Sequence, residues 1–301
     1  MRLLDVNSLR LKLFTEAQTP RYAILSHVWG REEVTFADIH DLAKAHRMRG
    51  FDKIELSCIQ ARRDGLDYIW IDTCCIDKSS SSELSEAINT MFRWYQQAAV
   101  CYAYLCTTST LSVPRVGADT YDDAVLENSP WFRRGWTLQE LIAPKRVEFH
   151  GARWLYLGNK HALCERLSRI TRIPQLLLRD SRALLSYSIA QRMSWAAGRS
   201  TTRIEDKAYS LLGIVGVNMP LLYGEGGNAF IRLQEEIIKI STDDSILAWS
   251  GRYSRDDLRL SMLAPDPAAF GPAANVVPLS GHGSSSYAIT NRGLEIRLPL
   301  L

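Results

Sequence analysis

The 301-residue chain lacks any apolar run long enough to span a bilayer, because the longest, residues 209–223, is short and is broken by Asn218 and Pro220. It also lacks the apolar core of a secretory signal, since the amino terminus MRLLDVNSLRLKLF alternates like a strand and carries charge throughout. Blocks of one charge sign are missing. The net charge of +3 is spread along the chain, and the pairs Arg62-Arg63 and Arg133-Arg134 stand isolated, which argues against a nucleic-acid surface. The six cysteines, at 58, 74, 75, 101, 106 and 164, contain no CxxC pair, and no histidine sits at a metal-ligand spacing. They read as reduced thiols, and Cys101 and Cys106 lie in an apolar run that favours burial. Neither the Rossmann nor the P-loop glycine spacing occurs. These absences describe a cytoplasmic protein with no metal, no membrane partner and no nucleic acid.

What is there is enough for a core. Hydrophobic residues make up 46% and charged residues 23%, so a chain of this length needs no metal or disulfide to fold. Short runs rich in β-branched and aromatic residues occupy 22–25, 68–71, 100–105 and 147–149, and each predicts a strand. Between the first two, Ile54, Cys58 and Ala61 recur at helical spacing and Gly65 closes the helix. Between the next two, Leu84, Ala87, Ile88, Met91, Phe92 and Tyr95 form a full apolar stripe, with N-cap candidates in the serine run 79–82. Alternating strands and helices predict an α/β fold with a parallel sheet covered by helices on both faces. This core is expected over residues 1–160 and a helical remainder over 161–250, where Thr202 and Glu205 have the spacing of a capping box and Phe230, Leu233, Ile237 and Ile240 mark a further helix. Residues 251–301 form a Pro/Gly/Ser-rich tail with a terminal strand, and a strand-like close ending in PLL predicts one piece of a longer protein.

In an open parallel sheet, ligands bind beyond the carboxyl ends of the strands. Past the first strand come Ser26, His27, Trp29 and Gly30, and past the second come Asp72, Thr73, Cys74 and Asp77. After the third strand and a long connection, residues 131–141 read as the opening of a helix, on which Trp136 and Glu140 share a face. Each candidate also fits a plainer role. His27 suits a core histidine, Asp72 a turn cap, Cys74-Cys75 a buried pair, and Glu140 a partner for Arg133 or Arg134. The segment GEGGNAF, 224–230, suits either a phosphate cradle or a tight turn.

The strings YAILSHVWG (22–30), WIDTCCIDK (70–78) and RGWTLQEL (134–141), in that order, resemble the HET (heterokaryon incompatibility) domain of filamentous fungi. Further similar strings are SELSEAINTMFRWYQQAAVCYAYL (82–105), RMSWAAGRSTTRIEDKAYSLLGI (192–214) and NMPLLYGEGGNAFIRLQEEI (218–237), so the resemblance covers roughly residues 1–250. It implies a module that triggers regulated cell death after non-self recognition, joined in cis or trans to NOD-like or repeat-containing receptor modules, with self-association. HET domains are in turn similar to TIR domains, which implies a TIR- or flavodoxin-like parallel sheet flanked by helices and followed by a helical subdomain. In TIR enzymes the glutamate of a W-x-x-x-E helix is catalytic for cleavage of NAD, and by resemblance that role falls on Glu140. NAD would then be a substrate, no cofactor would be required, and Ser26, His27, Trp29, Gly30, Asp72, Asp77, Arg134, Gly135 and Trp136 would line its site. A non-catalytic module that propagates death by homotypic assembly fits the same resemblance. A Rossmann-like metabolic enzyme fits less well, because SHVWG puts bulky side chains where backbone must approach a pyrophosphate.

Overall fold

The computed structural model describes residues 1–105, 126–251, 262–277, 288–290 and 293–295. Its contacts separate into two units, Met1–Ser181 and Arg182–Leu301. The first unit begins with a hairpin, β1 (Arg2–Asp5) and β2 (Leu11–Leu13), and continues into β3 (Ala23–His27), whose five residues are all buried. A short helix α1 (Leu42–Ala45) leads to α2 (Phe51–Arg63), which buries Ile54, Cys58 and Ala61 as their spacing predicts. Gly65 then turns the chain at φ +71°, a conformation that costs a side-chain-bearing residue more than glycine. There follow β4 (Tyr68–Ile71), α3 (Ser81–Gln97) with Ser80 as its N-cap, and β5 (Val100–Tyr104). The unit closes with α4 (Thr137–Ile142), β6 (Val147–His150), β7 (Tyr156–Asn159), α5 (Cys164–Thr171) and α6 (Gln175–Arg179).

The sheet order is β2-β1-β4-β3-β5-β6-β7. The strands β4, β3, β5 and β6 are parallel neighbours, and numbered among themselves they run 2-1-3-4, the flavodoxin-like doubly wound order. The parallel expectation holds for this centre only, since β1 pairs antiparallel with β4 and β7 antiparallel with β6. Register sorts the side chains. Leu25 pairs with Tyr102 and Tyr102 with Glu148, while Ser26 pairs with Ala103 and Ala103 with Phe149, so the two rows face opposite sides. On the Tyr102 side the phenol donates to Asp64, the residue closing α2, at 2.7 Å. On the other side the Trp70 ring packs against Trp94 and Tyr95 of α3, with centroids 5.5 and 5.9 Å apart, and Cys101 Sγ lies 3.9 Å from the Glu140 carbonyl of α4.

The loop after β3 is held by a close backbone approach at Gly50. Its N–H donates to the Glu32 carbonyl at 2.9 Å, and a Cβ added there would lie 2.6 Å from that same oxygen. Gly50→Ala is therefore expected to push residues 32–33 outward and to lower stability by about 1–3 kcal/mol in urea unfolding. An unchanged midpoint would show that the loop yields freely.

The second unit is largely helical: α7 (Ile189–Ser194), α8 (Asp206–Tyr209), α9 (Leu212–Val215) and α10 (Asn228–Ile240), then a small hairpin of β8 (Ala288–Thr290) and β9 (Gly293–Glu295). Of the apolar stripe expected on α10, Phe230, Leu233 and Ile237 are buried, whereas Ile240, the last residue of the helix, is 66% exposed. A capping box does form, but between Ser188 and Gln191. Glu205 is not part of one. Its carboxylate instead accepts from the N–H groups of Gly224 and Gly226 at 2.8 and 3.1 Å. The GEGGNAF turn is thus already occupied by a protein carboxylate, which removes the phosphate-cradle reading. Among the described residues no helix is long and apolar enough to cross a membrane.

Candidate functional site

β3 and β5 lie side by side but their connections leave in opposite directions, to β4 and to β6, which makes their carboxyl ends the topological switch point where open α/β sheets bind ligands. Ser26 and His27 end β3 at that point. Because successive strand residues face opposite sides, Ser26 turns toward α4 and His27 away from it. Ser26 Oγ donates to Glu140 Oε2 and accepts from Trp131 Nε1–H at 2.7 Å, so one hydroxyl links a buried indole to a buried carboxyl. Trp131 comes from a 3-10 turn, Pro130–Arg133, and its ring packs edge-on against Phe132 and Phe149. Tyr95 of α3 closes the same region, its hydroxyl donating to the Leu25 carbonyl at 3.2 Å.

Glu140 is 8% exposed. Burial, reinforced by the negative charge of Asp72, pushes its carboxyl up to about 8, against the opposing pull of the Ser26 hydrogen bond and the Arg134 charge. Asp72 behaves in the opposite way. Its own burial acts upward, but contact with His27, the Lys78 charge and the indole N–H of Trp29 outweigh it and hold the carboxyl at about 2. His27 Nε2 stands 3.3 Å from Asp72 Oδ1, and Trp29 Nε1 donates to Oδ2 at 2.8 Å. At neutral pH the carboxyl ends of β3 and β4 therefore stand beside one protonated and one ionised carboxyl, set apart by their surroundings. Because the Asp72 charge raises Glu140, Asp72→Asn is expected to move the Glu140 midpoint to lower pH. Carboxyl carbon NMR of the labelled chain reads this directly, and an unmoved midpoint would show that the two groups do not sense each other.

Trp29 is 46% exposed, with the Lys78 ammonium 3.6 Å from its ring centroid, so a cation already covers one face. The Gly30 N–H donates to Glu33, which is ion-paired with Lys53. Arg134 and Gly135 form the link from the 3-10 turn into α4: the Arg134 carbonyl accepts from Thr137 Oγ1 at 2.9 Å, and the Gly135 carbonyl accepts from the Leu138 N–H at 3.2 Å. Trp136 is the N-cap residue of α4 and is half-buried. Asp77 lies apart from this group. Its carboxylate accepts from the backbone N–H and hydroxyl of Ser79, a turn ahead of α3, and its own N–H donates to Glu83.

Spacing does not announce the supports of Glu140. Trp131, Tyr95 and Lys160 act from a turn, a helix face and a strand end respectively. Lys160, 3% exposed, donates to the carbonyls of Leu141 and Pro144 and so closes the end of α4, and burial pushes its amine down to about 8. The described cysteines 58, 74, 75, 101 and 164 are buried free thiols, while Cys106 and most of the long connection after β5 lie outside the described residues. Hydrogen bonding with Cys75 and burial hold the Cys74 thiol well above its usual value, which removes a nucleophile there. Among the described residues no group of three or more His, Cys, Asp or Glu side chains could hold a metal ion.

A doubly wound α/β domain with a protonated carboxyl at its topological switch point is the class that this geometry defines. Residues 22–120 match the family described as Heterokaryon incompatibility protein (HET), and the chain carries a domain of that family. It is 47% identical over 255 residues to "Vegetative incompatibility protein HET-E-1" of Podospora anserina, a match covering 82% of this chain. The chain spans 18% of the length of that curated relative. No solved structure gives a significant match.

Proposed function

We propose that this chain is the death-triggering effector domain of a fungal vegetative incompatibility protein, acting in the cytoplasm after non-self recognition by hydrolysing NAD in the manner of a TIR enzyme. The observation that carries this reading is the Glu140 carboxyl, buried at the switch point between β3 and β5 and hydrogen-bonded to Ser26. In NAD hydrolysis the bond from ribose C1′ to the nicotinamide nitrogen breaks, its electron pair leaves with nicotinamide, and water supplies oxygen to C1′ while losing a proton. A positive charge develops on the ribose, and one carboxylate beside it lowers the barrier. In the free protein Glu140 holds a proton. A cationic nicotinamide ring brought beside it favours the ionised form, so binding releases the proton and supplies the carboxylate where charge develops. Trp29 and Trp136 offer ring surface, and Arg134 a positive charge, toward the substrate. The chain spans 18% of the curated relative's length, which leaves room there for further modules, and control by NOD-like or repeat modules, in cis or trans, together with self-association completes this reading.

Incubation of the purified domain with NAD at concentrations that permit assembly, with nicotinamide measured, is expected to show release by the wild type. Release should rise with pH through about 8 and be lost in Glu140→Ala. No release, or equal release by a folded Glu140→Ala, would overturn catalysis. A Glu140→Ala protein that still kills when expressed would instead favour signalling by assembly without turnover.

A further inference from the structure

Trp29 follows β3 and stands outside the core, 46% exposed, yet its ring is held in one orientation. The indole Nε1–H donates to Asp72 Oδ2 at 2.8 Å, while Oδ1 of the same carboxyl lies 3.3 Å from His27 Nε2. That carboxyl is held at about 2, so it is ionised at neutral pH. A carboxylate at the edge of an indole and the negative face of the ring both attract positive charge. The Lys78 ammonium answers that attraction, 3.6 Å from the ring centroid. It does so incompletely. No hydrogen-bond acceptor among the described residues takes its ammonium hydrogens, and Asp72 reaches it through charge alone. Desolvation beside the ring draws the Lys78 amine below its ordinary value. The residue is exposed and its stem flexible, so the ammonium can return to water and leave the ring face open. An ammonium brings three donors that need acceptors, whereas a quaternary ring nitrogen brings none. The face of Trp29 therefore suits the second kind of cation better than the one that covers it.

We propose that the exposed face of Trp29 is a seat for a planar organic cation of the pyridinium class, and that Lys78 occupies this seat in the free chain. The inference rests on the NAD reading above, in which that cation is the nicotinamide ring of the oxidised dinucleotide. Binding sends the Lys78 ammonium to solvent and puts a donor-free cation between the indole and the Asp72 charge. Cleavage leaves nicotinamide neutral, because the electron pair of the broken bond stays on its nitrogen. The attraction then lapses, and Lys78 regains the ring. Lys78 thus competes with the substrate before the reaction and favours departure of the product after it.

N1-methylnicotinamide, a pyridinium with no glycosidic bond to cleave, tests this on the full chain. Its titration is followed by proton–nitrogen NMR on the Trp29 indole N–H, the signal that Trp29→Leu removes. Saturable binding is expected, roughly tenfold tighter than that of neutral nicotinamide. Lys78→Gln should tighten it by roughly threefold or more, since the competing cation is gone. Asp72→Asn, which keeps an acceptor for the indole but no charge, should weaken it by roughly fivefold. No saturable shift in the wild type, equal affinity for nicotinamide, or an affinity unchanged or lowered in Lys78→Gln would overturn the proposal. Binding as expected by a chain that releases no nicotinamide from NAD would sustain the seat and overturn only the hydrolysis.

Discussion

Glu140→Gln is expected to make the protein more stable, and increasingly so as pH rises. The folded carboxyl ionises at about 8 against an ordinary value of 4.5. Between those values the folded state holds a proton that the unfolded chain has released, so stability falls as pH rises across the window. Below it both states are protonated and the burden vanishes; above it both are ionised and the burden is complete. A shift of this size corresponds to roughly 3–5 kcal/mol. Glutamine keeps an acceptor for the Ser26 hydroxyl but adds amide hydrogens that need partners, which leaves a net gain of about 2–4 kcal/mol at pH 8 and little at pH 4. Lys160 must be kept apart in this measurement. Its amine is depressed to about 8, so its contribution makes stability rise with pH between there and its ordinary 10.5. Urea midpoints taken between about pH 5 and 8 therefore report Glu140 alone of the two. Equal pH slopes for wild type and Glu140→Gln would show that the buried carboxyl is not the source. A stability gain together with lost nicotinamide release is the pattern of a residue kept for chemistry at a cost to the fold.

The central strands were legible because each is buried on both faces and so reads as a short run rich in apolar residues, interrupted only by Glu148 in the last: residues 22–25, 68–71, 100–105 and 147–149 became β3 to β6 with shifts of a residue or two at their ends. The flanking strands were not. β7, YLGN, is half-exposed and has neither a run nor a clean alternation, and β1 and β2 read as strand-like without saying where they pair. The candidate site was legible to the level of the loops that form it, since the switch-point rule needs only the strand order. Finer assignments needed coordinates. Ser26 and His27 adjoin in sequence yet diverge in space because the strand alternates, and Asp77 lies five residues after Asp72 yet serves the start of α3. Periodicity places Tyr95 in a core stripe but says nothing of where its hydroxyl ends.

Ser26→Ala is expected to cost about 2–4 kcal/mol, far more than the loss of one oxygen, because it strands two groups at once. Trp131, fully buried, loses the acceptor for its N–H, and Glu140 loses the hydrogen bond that opposes its upward shift. The Glu140 midpoint should accordingly climb further in this variant, which carbon NMR can follow. Trp131→Phe removes the other end of the chain while keeping the ring against Phe132 and Phe149. Once the indole N–H is gone, Ser26 no longer satisfies it, so the double variant should lose less than the two single losses added together, by about 1–2 kcal/mol. Urea unfolding of the four proteins measures that coupling. Simple additivity would mean that Ser26 does not link the two groups, and the carboxyl would then be held by packing rather than by the hydroxyl that ends β3.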